Sequence, residues 1–213
     1  MQEIIMNRIV PKVAPFSVET NRKERIGLLG GTFNPPHMGH LIIAEQVGKQ
    51  LGLDAVWFLP AHVPPHKRVK HLAKVEERKK MIQSAIGDNS FFKLDETDLK
   101  REGKSYTYDT IKQLKKEHPE KEFYFIIGGD MAESLSEWYR IDELVQMIQF
   151  VAVKRKGYSA DTDYSVIWVD CPLIEISSTQ IRKKISDGCT IRYLIPESTR
   201  KYIEKMGLYK DDE

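Results

Sequence analysis

Short apolar runs alternate with segments of helical periodicity from residue 26 onward. The first run, Ile26–Leu29, ends at two glycines, and apolar residues from Leu41 to Leu51 then recur at the spacing of one helix face. The segment FYFII at Phe123–Ile127 is almost continuously apolar, which is typical of a central strand in a parallel sheet. The pattern therefore predicts strands connected by helices.

The same alternation of apolar runs and helical periodicity continues through the rest of the chain. Further strands are predicted at Val56–Leu59, Phe91–Leu94, Gln149–Val153, Val166–Val169 and Leu173–Ile176. Further helices are predicted at Arg68–Ile86, Tyr108–Lys116, Ile141–Met147, Thr179–Ser186 and Pro196–Met206. This alternation predicts an α/β fold, a doubly wound (Rossmann-like) parallel sheet with helices on both faces. Ligands of such sheets bind beyond the carboxyl ends of the strands, so residues that directly follow the apolar runs are the candidates for function.

The first 25 residues differ from the rest of the chain. They show no clear periodicity and end in a charged stretch, so we interpret 1–25 as an N-terminal extension outside the core, with a peripheral strand or helix as the alternative. Residues 26–213 are predicted to form a single domain, a size that buries enough surface to fold without disulfides or metals.

Composition and charge restrict the function. The formal net charge is only +2, which argues against a protein that binds nucleic acid through its phosphate backbone. No apolar run approaches the roughly 20 residues needed to span a bilayer, and the amino terminus lacks the apolar core of a signal peptide. Two cysteines, Cys171 and Cys189, fit reduced thiols better than a disulfide framework. We therefore expect a cytoplasmic protein, with no membrane and no nucleic-acid partner.

The segment GGTFNPPHMGH, residues 30–40, carries the strongest chemical signal. Adjacent Gly30 and Gly31 let the backbone approach a ligand closely and adopt angles closed to other residues. The helix that follows presents unpaired N–H groups and the positive end of its dipole. His37 and His40 are three residues apart, so both rings are expected on one side of the first helical turn. Together these features predict a pocket for anionic oxygens.

Two other interpretations of this segment remain open. Two histidines can be zinc ligands, although no glutamate lies between them and no third ligand is evident. The segment can also be a purely structural Gly-Pro turn. It is neither a dinucleotide-binding G-x-G-x-x-G fingerprint nor a Walker A loop.

A second segment, ISSTQIR at Ile176–Arg182, also follows an apolar run and opens a helix. Ser177, Ser178 and Thr179 offer hydroxyl and N-cap groups, and Arg182 lies near the same helix end. Alone this is an ordinary capped helix. Paired with the first segment, it can hold the other end of one polyphosphate.

The two segments together closely resemble the nucleotidyltransferase superfamily with H-x-G-H and I-S-S-T-x-I-R motifs. More narrowly, the chain resembles bacterial nicotinate-nucleotide adenylyltransferases across residues 26–213. The further matches, in the family's order, are PPHK at Pro64–Lys67, SYTYDT at Ser105–Thr110, IIGGD at Ile126–Asp130, EWY at Glu137–Tyr139 and the carboxy-terminal YIEKMGLY. Ala61 and His62 stand where many relatives carry asparagine, so no substrate contact is transferred to that loop.

The resemblance implies transfer of the adenylyl group of ATP to nicotinate mononucleotide, which gives deamido-NAD and pyrophosphate. Direct in-line attack without a covalent enzyme intermediate is expected. His40, His37 and Arg182 are the implied catalytic residues, and Mg²⁺ is expected on the ATP phosphates rather than in a protein cage. The implied ATP-binding residues are Gly30, Gly31, Thr32, Phe33, His37, His40, Gly128, Asp130, Ile176, Ser177, Ser178, Thr179 and Arg182.

The resemblance also implies a mononucleotide site formed by Lys67, Thr107, Trp138 and Tyr139. An indole face suits the pyridinium ring, because its negative quadrupole attracts a cation. Each assignment has a simpler alternative: Trp138 as a half-buried anchor, Lys67 as a solvated loop lysine and Asp130 as a helix cap.

Functions of other classes remain to be tested. A phosphopantetheine acceptor would keep the superfamily, and a nucleotide-sensing protein without catalysis would keep the fold. The preference between nicotinate and nicotinamide mononucleotide and a homo-oligomeric state are left open by the sequence.

Overall fold

The computed structural model describes residues 22–63, 72–101, 103–153, 162–172 and 174–210. Its strands are β1 (Glu24–Gly31), β2 (Ala55–Pro60), β3 (Phe92–Leu94), β4 (Lys121–Gly128), β5 (Gln149–Val153) and β6 (Val166–Val169). They form one sheet in the order β3-β2-β1-β4-β5-β6, and every neighbouring pair is parallel. The predicted doubly wound fold is confirmed, with the strand order of dinucleotide-binding sheets.

The helices cover both faces of this sheet. They are α1 (Met38–Gln50), α2 (Val75–Ile86), α3 (Thr97–Arg101), α4 (Thr107–Glu117), α5 (Gly129–Glu133), α6 (Ile141–Leu144), α7 (Ser178–Ser186) and α8 (Glu197–Met206). Side chains alternate across each strand, so Ile26 and Leu28 of β1 pack against α4 and α6, whereas Leu29 packs on the side of α1 and α2. A third, smaller core joins α2, α7 and α8 through Met81 and Ile181.

Several sequence-based boundaries need correction. Strand β1 begins at Glu24, where Glu24 pairs with Lys121, so the last residues of the predicted extension belong to the sheet. The helix predicted from Arg68 begins only at Val75 among the described residues. The helix predicted over Ile141–Met147 ends at Leu144.

The strand predicted at Leu173–Ile176 is wrong for the residues that the structure describes there. The N–H of Ile176 donates to the carbonyl of Ile174 at 2.9 Å, so the backbone turns back on itself. The apolar character of this segment reflects its place beside the ligand cleft, which Ile174 and Ile176 both border. Helices α3 and α5 were missed because each is only five residues long, too short for periodicity to appear.

The centre of the sheet sets the position of the site. Strands β1 and β4 are neighbours at the centre of the sheet. From β1 the chain continues through β2 and β3 to one edge, and from β4 it continues through β5 and β6 to the other edge. Such a reversal of strand order opens a crevice beyond the carboxyl ends of the two central strands. Among the described residues, no helix has the length and apolar character needed to cross a bilayer.

Candidate active site

A cleft of about 890 Å³ lies beyond the carboxyl ends of β1 and β4. It brings together residues from both halves of the chain, as the switch-point geometry requires. Every residue predicted for the site borders it, except Lys67, which lies outside the described residues. We call Thr32–His40 with Ser177–Arg182 the phosphate side, and Asp98, Ser105–Thr107 and Trp138–Tyr139 the acceptor side.

The two glycines that end β1 serve packing rather than unusual backbone angles. Neither Gly30 nor Gly31 has a positive φ, so that part of the expectation is wrong. A Cβ on Gly30 would lie 2.9 Å from the ring of Phe125, and one on Gly31 would lie 3.0 Å from the ring of Phe33. The missing side chains therefore let aromatic rings close over the strand end and form the floor of the cleft.

The loop after β1 is held in one conformation by its own buried residues. Phe33 has a φ of 49°, in the left-handed region that is unfavourable for a bulky residue. Its ring is buried against Phe58, with ring centres 5.5 Å apart, and against His40, at 4.9 Å. The Asn34–Pro35 peptide bond is cis. Packing of Phe33 thus places the backbone that leads into α1.

The two histidines lie together, as their spacing predicts. Their rings stack with centres 3.6 Å apart, and His37 is only 8% exposed. The backbone N–H of His37, the residue that precedes α1, donates to Nδ1 of His40 at 3.1 Å. Because Nδ1 accepts this bond, a neutral His40 ring carries its proton on Nε2. His40 is therefore held as an Nε2–H donor at the start of a helix.

The first turn of α7 is attached directly to this loop. The Ser178 hydroxyl donates to the carbonyl of Pro35 at 2.8 Å, and Nη1 of Arg182 donates to the carbonyl of Asn34 at 2.9 Å. Ser177 caps the helix by accepting from the N–H of Gln180 at 3.2 Å. The two predicted motifs thus form one continuous surface of N–H groups, imidazole and guanidinium, which suits anionic oxygens.

Asp130 stands at the end of β4, beside the phosphate side. It lies in the first turn of α5, and a Cβ on Gly128 would fall on its Oδ1. A side chain at position 128 would therefore displace the Asp130 carboxylate from this position. A carboxylate in this position can accept hydrogen bonds from ribose hydroxyls.

Aromatic rings dominate the acceptor side. Trp138 is 9% exposed and its ring meets Phe125 and Phe150 edge to face, at 6.0 and 5.8 Å. It is therefore mainly a core residue that also borders the cleft. Its neighbour Tyr139 is 48% exposed, and its ring centre lies 4.8 Å from that of Tyr106.

A buried polar network supports the acceptor side from below. Asp98 accepts hydrogen bonds from the hydroxyl of Thr110 and from Nη2 of Arg101, the latter at 2.7 Å. Burial raises the pKa of Asp98, opposed by the hydrogen bond from Thr110 and the charge of Arg101. The Ser105 hydroxyl accepts from the N–H of His62 at 2.8 Å, which ties the start of α4 to the loop after β2.

Some residues that border the cleft were not identified from the sequence. Asn34, Ser105 and Tyr106 lie inside motifs that were recognised, so their place in the motif was the available signal. Asp98 and Met131 lie in the short helices α3 and α5, and nothing in the sequence around them indicated that they border the cleft.

The cleft offers few ligands for a metal. Asp98 and Asp130 are the carboxylates at its lining, and Asp98 is already engaged by Thr110 and Arg101. No group of three or more His, Cys, Asp and Glu suited to holding a metal occurs within the described part of the chain. This donor set fits a Mg²⁺ ion that takes most of its oxygens from nucleotide phosphates and water.

Comparison with known proteins places the chain in a family. The family model described as cytidylyltransferase-like matches residues 28–184. A probable nicotinate-nucleotide adenylyltransferase of Lactiplantibacillus plantarum is 53% identical over 208 residues, 98% of this chain and 99% of the relative. That alignment includes most of the first 25 residues. Another, of Geobacillus thermodenitrificans, is 51% identical over 185 residues, 87% of this chain and 86% of the relative.

Solved structures agree on the fold. A nicotinic acid mononucleotide adenylyltransferase of Plasmodium falciparum, complexed with NaAD, superposes with a TM-score of 0.73 at 23% identity. The match covers 87% of this chain and 97% of that protein. Because this identity is low, the similarity establishes architecture alone, and the assignment depends on the sequence relatives. On that basis, the chain belongs to the nicotinate-nucleotide adenylyltransferase family.

Proposed function

We propose that this protein transfers the adenylyl group of ATP to nicotinate mononucleotide, releasing pyrophosphate and forming deamido-NAD. The observation that carries this proposal is that the phosphate side and the acceptor side line the same cleft. Two substrates bound in one cleft can react directly. Membership of the adenylyltransferase family supports the same reaction.

The chemical step is an in-line displacement at phosphorus. An oxygen of the mononucleotide phosphate attacks the α-phosphorus of ATP, the bond to the β-phosphate oxygen breaks, and pyrophosphate leaves with the electron pair. Such a reaction needs alignment and charge stabilisation rather than a protein nucleophile. Nε2–H of His40 is our candidate donor to the α-phosphate oxygens, with His37 holding its ring by stacking.

Arg182 and the first turn of α7 bind the β- and γ-phosphates in this proposal. The hydroxyl of Ser178 already donates to Pro35, so the phosphate donors from Ser178 and Thr179 are their backbone N–H groups. A guanidinium has five N–H donors, so the bond from Arg182 to Asn34 is compatible with a phosphate contact. Gly30–Phe33, Gly128, Asp130, Ile176 and Ser177 complete the ATP site.

The acceptor side binds the mononucleotide. Thr107 lies in the first turn of α4, and the rings of Trp138 and Tyr139 form an apolar wall for the pyridine ring. Lys67 is assigned to the same substrate from its motif alone. Mg²⁺, carried by the ATP phosphates, would neutralise charge on the leaving pyrophosphate.

We also propose a cytoplasmic protein, since both Cys171 and Cys189 are free thiols.

The test is a pyrophosphate-release assay with ATP, Mg²⁺ and one of three acceptors: nicotinate mononucleotide, nicotinamide mononucleotide or phosphopantetheine. We expect release with nicotinate mononucleotide, identification of deamido-NAD as the product, and loss of activity with excess EDTA. ATP binding without turnover on any acceptor would support a nucleotide sensor instead. Turnover with phosphopantetheine alone would reassign the acceptor.

A further inference from the structure

A fully buried arginine lies beneath the cleft, outside the substrate-binding residues assigned above. Arg78 of α2 has no exposed surface. Its Nη1 donates to the carbonyls of Thr32, at 3.1 Å, and Ala61, at 2.7 Å. Its Nη2 donates to the carbonyl of His62 at 3.2 Å. The guanidinium thus binds three backbone carbonyls.

The cost of burying this charge indicates that its position matters. Removing a guanidinium from water is unfavourable unless the charge is paired. Among the described residues, no carboxylate forms an ion pair with Arg78, and its Nε has no hydrogen-bond partner. A methionine or leucine would fill the same space without this cost. The geometry of the three bonds is therefore what the arginine provides.

The three carbonyls belong to two loops, one on the phosphate side and one bonded to the acceptor side. Thr32 begins the loop that leads to His37 and His40 on the phosphate side. Ala61 and His62 begin the loop after β2, and the N–H of His62 donates to Ser105 on the acceptor side. Since β1 and β2 are adjacent and pair up to Gly31 and Pro60, the two loops diverge at the point where Arg78 lies.

We propose that Arg78 is a positioning residue that fixes the two loops relative to each other. The separation between the loops sets the distance between the mononucleotide phosphate and the α-phosphorus of ATP. This inference rests on the proposed function, because it assigns one substrate to each side. The planar fork of an arginine holds several acceptors in fixed directions, whereas a lysine offers one point charge on a flexible stem.

The test is Arg78→Lys, which keeps the charge and loses the fork. A misalignment of the reacting groups lowers kcat by as much as about 100-fold while each substrate still finds its own side intact. We therefore expect a kcat loss of that order. The Kd of ATP alone and of nicotinate mononucleotide alone, measured by calorimetry, should stay within about threefold of wild type.

The matched control is Ile86→Ala, at the far end of α2. Ile86 is 7% exposed and packs in the core, so its truncation lowers the melting temperature without touching either loop. Its kcat and both KM values should stay within about twofold of wild type. A purely structural role of Arg78 predicts that Arg78→Lys behaves like this control.

Three outcomes decide the proposal. A folded Arg78→Lys with wild-type kcat, or one whose loss lies wholly in the Kd of one substrate, overturns it. If Arg78→Lys fails to fold, Arg78→Met fills the same space without the donors or the buried charge, and it should lower kcat at least as much with both Kd values retained. An unchanged kcat in that variant also overturns the proposal. The wild-type enzyme in the same assay tests the proposed function separately. If the proposed function is wrong, the wild-type enzyme forms no product at any substrate concentration.

Discussion

The two sides of the cleft consist of different chemical groups. The phosphate side consists of backbone N–H groups, stacked imidazoles and a guanidinium. One hydrogen bond within the first motif orients His40, and two hydrogen bonds join the two motifs. The acceptor side consists of aromatic rings and a buried carboxylate from three separate elements. The phosphate side is therefore specified by local sequence, and the acceptor side by packing. Substitutions on the two sides should accordingly fail in different ways.

Trp138→Ala is expected to give the largest effect, because it removes a core ring as well as a wall of the cleft. Truncating a buried tryptophan costs about 3–5 kcal/mol of unfolding free energy, and the KM for nicotinate mononucleotide should rise with little change for ATP. Urea unfolding and steady-state kinetics measure the two effects. Tyr139→Ala is the matched control: its side chain is half exposed, so stability should change by no more than about 0.5 kcal/mol. An unchanged KM in both variants would refute the ring-binding role.

His40→Ala tests the phosphate side, where the expected loss is catalytic rather than structural. Removing one preorganised donor lowers kcat by roughly 100-fold or more. The measurement is kcat at saturating substrates, with circular dichroism to confirm folding. His118→Ala is the control, since His118 lies at the end of α4 against Trp57 and does not border the cleft. A folded His40→Ala enzyme with near-normal kcat would exclude this role.

Ser177→Ala separates the folding of α7 from its chemistry. The serine caps the helix through the N–H of Gln180, and loss of such a cap costs about 1 kcal/mol of unfolding free energy. The helix should still form, because Ile181 anchors it in the small core. We therefore expect a lower melting temperature and a KM for ATP that rises by no more than a few-fold. A complete loss of ATP binding would show that the hydroxyl contacts the nucleotide.

Asp98→Asn gives the smallest effect, a change in the pH dependence of stability. The pKa of Asp98 is raised by burial, so the folded protein holds this proton at pH values where the unfolded chain has released it. The contribution of Asp98 to stability is therefore greatest at low pH and falls as pH rises above its ordinary value of 3.8. The free energy of unfolding of wild type minus that of Asp98→Asn should fall over this range. Urea titrations at several pH values measure this difference, and a rise with pH would contradict the assignment.

The motifs made the phosphate side predictable. GGTFNPPHMGH and ISSTQIR are contiguous, so strand end, loop and helix start could be recognised without knowing the fold. One prediction for this side was nevertheless wrong, namely that Gly30 and Gly31 adopt backbone angles closed to other residues. The glycines make room for the rings of Phe125 and Phe33, and no local pattern reveals which ring will lie against a strand end.

The acceptor side was less predictable for a physical reason. Trp138 was placed in the site by its motif, but its burial against Phe125 and Phe150 depends on β4 and β5 being neighbours. Asp98 lies in a five-residue helix, and its partners Arg101 and Thr110 come from two elements. Short elements carry too few residues for periodicity to identify them.

The sequence by itself determined the alternation of strands and helices, the parallel sheet and the two polar helix starts that we predict to bind anions, because each depends on neighbours along the chain. Tertiary structure alone decided that the two motifs share hydrogen bonds and that Arg78 joins two loops beneath the cleft. Those contacts connect residues up to 148 positions apart, as between Arg182 and Asn34. Only the crossing of the chain at the centre of the sheet brings such residues within hydrogen-bond distance.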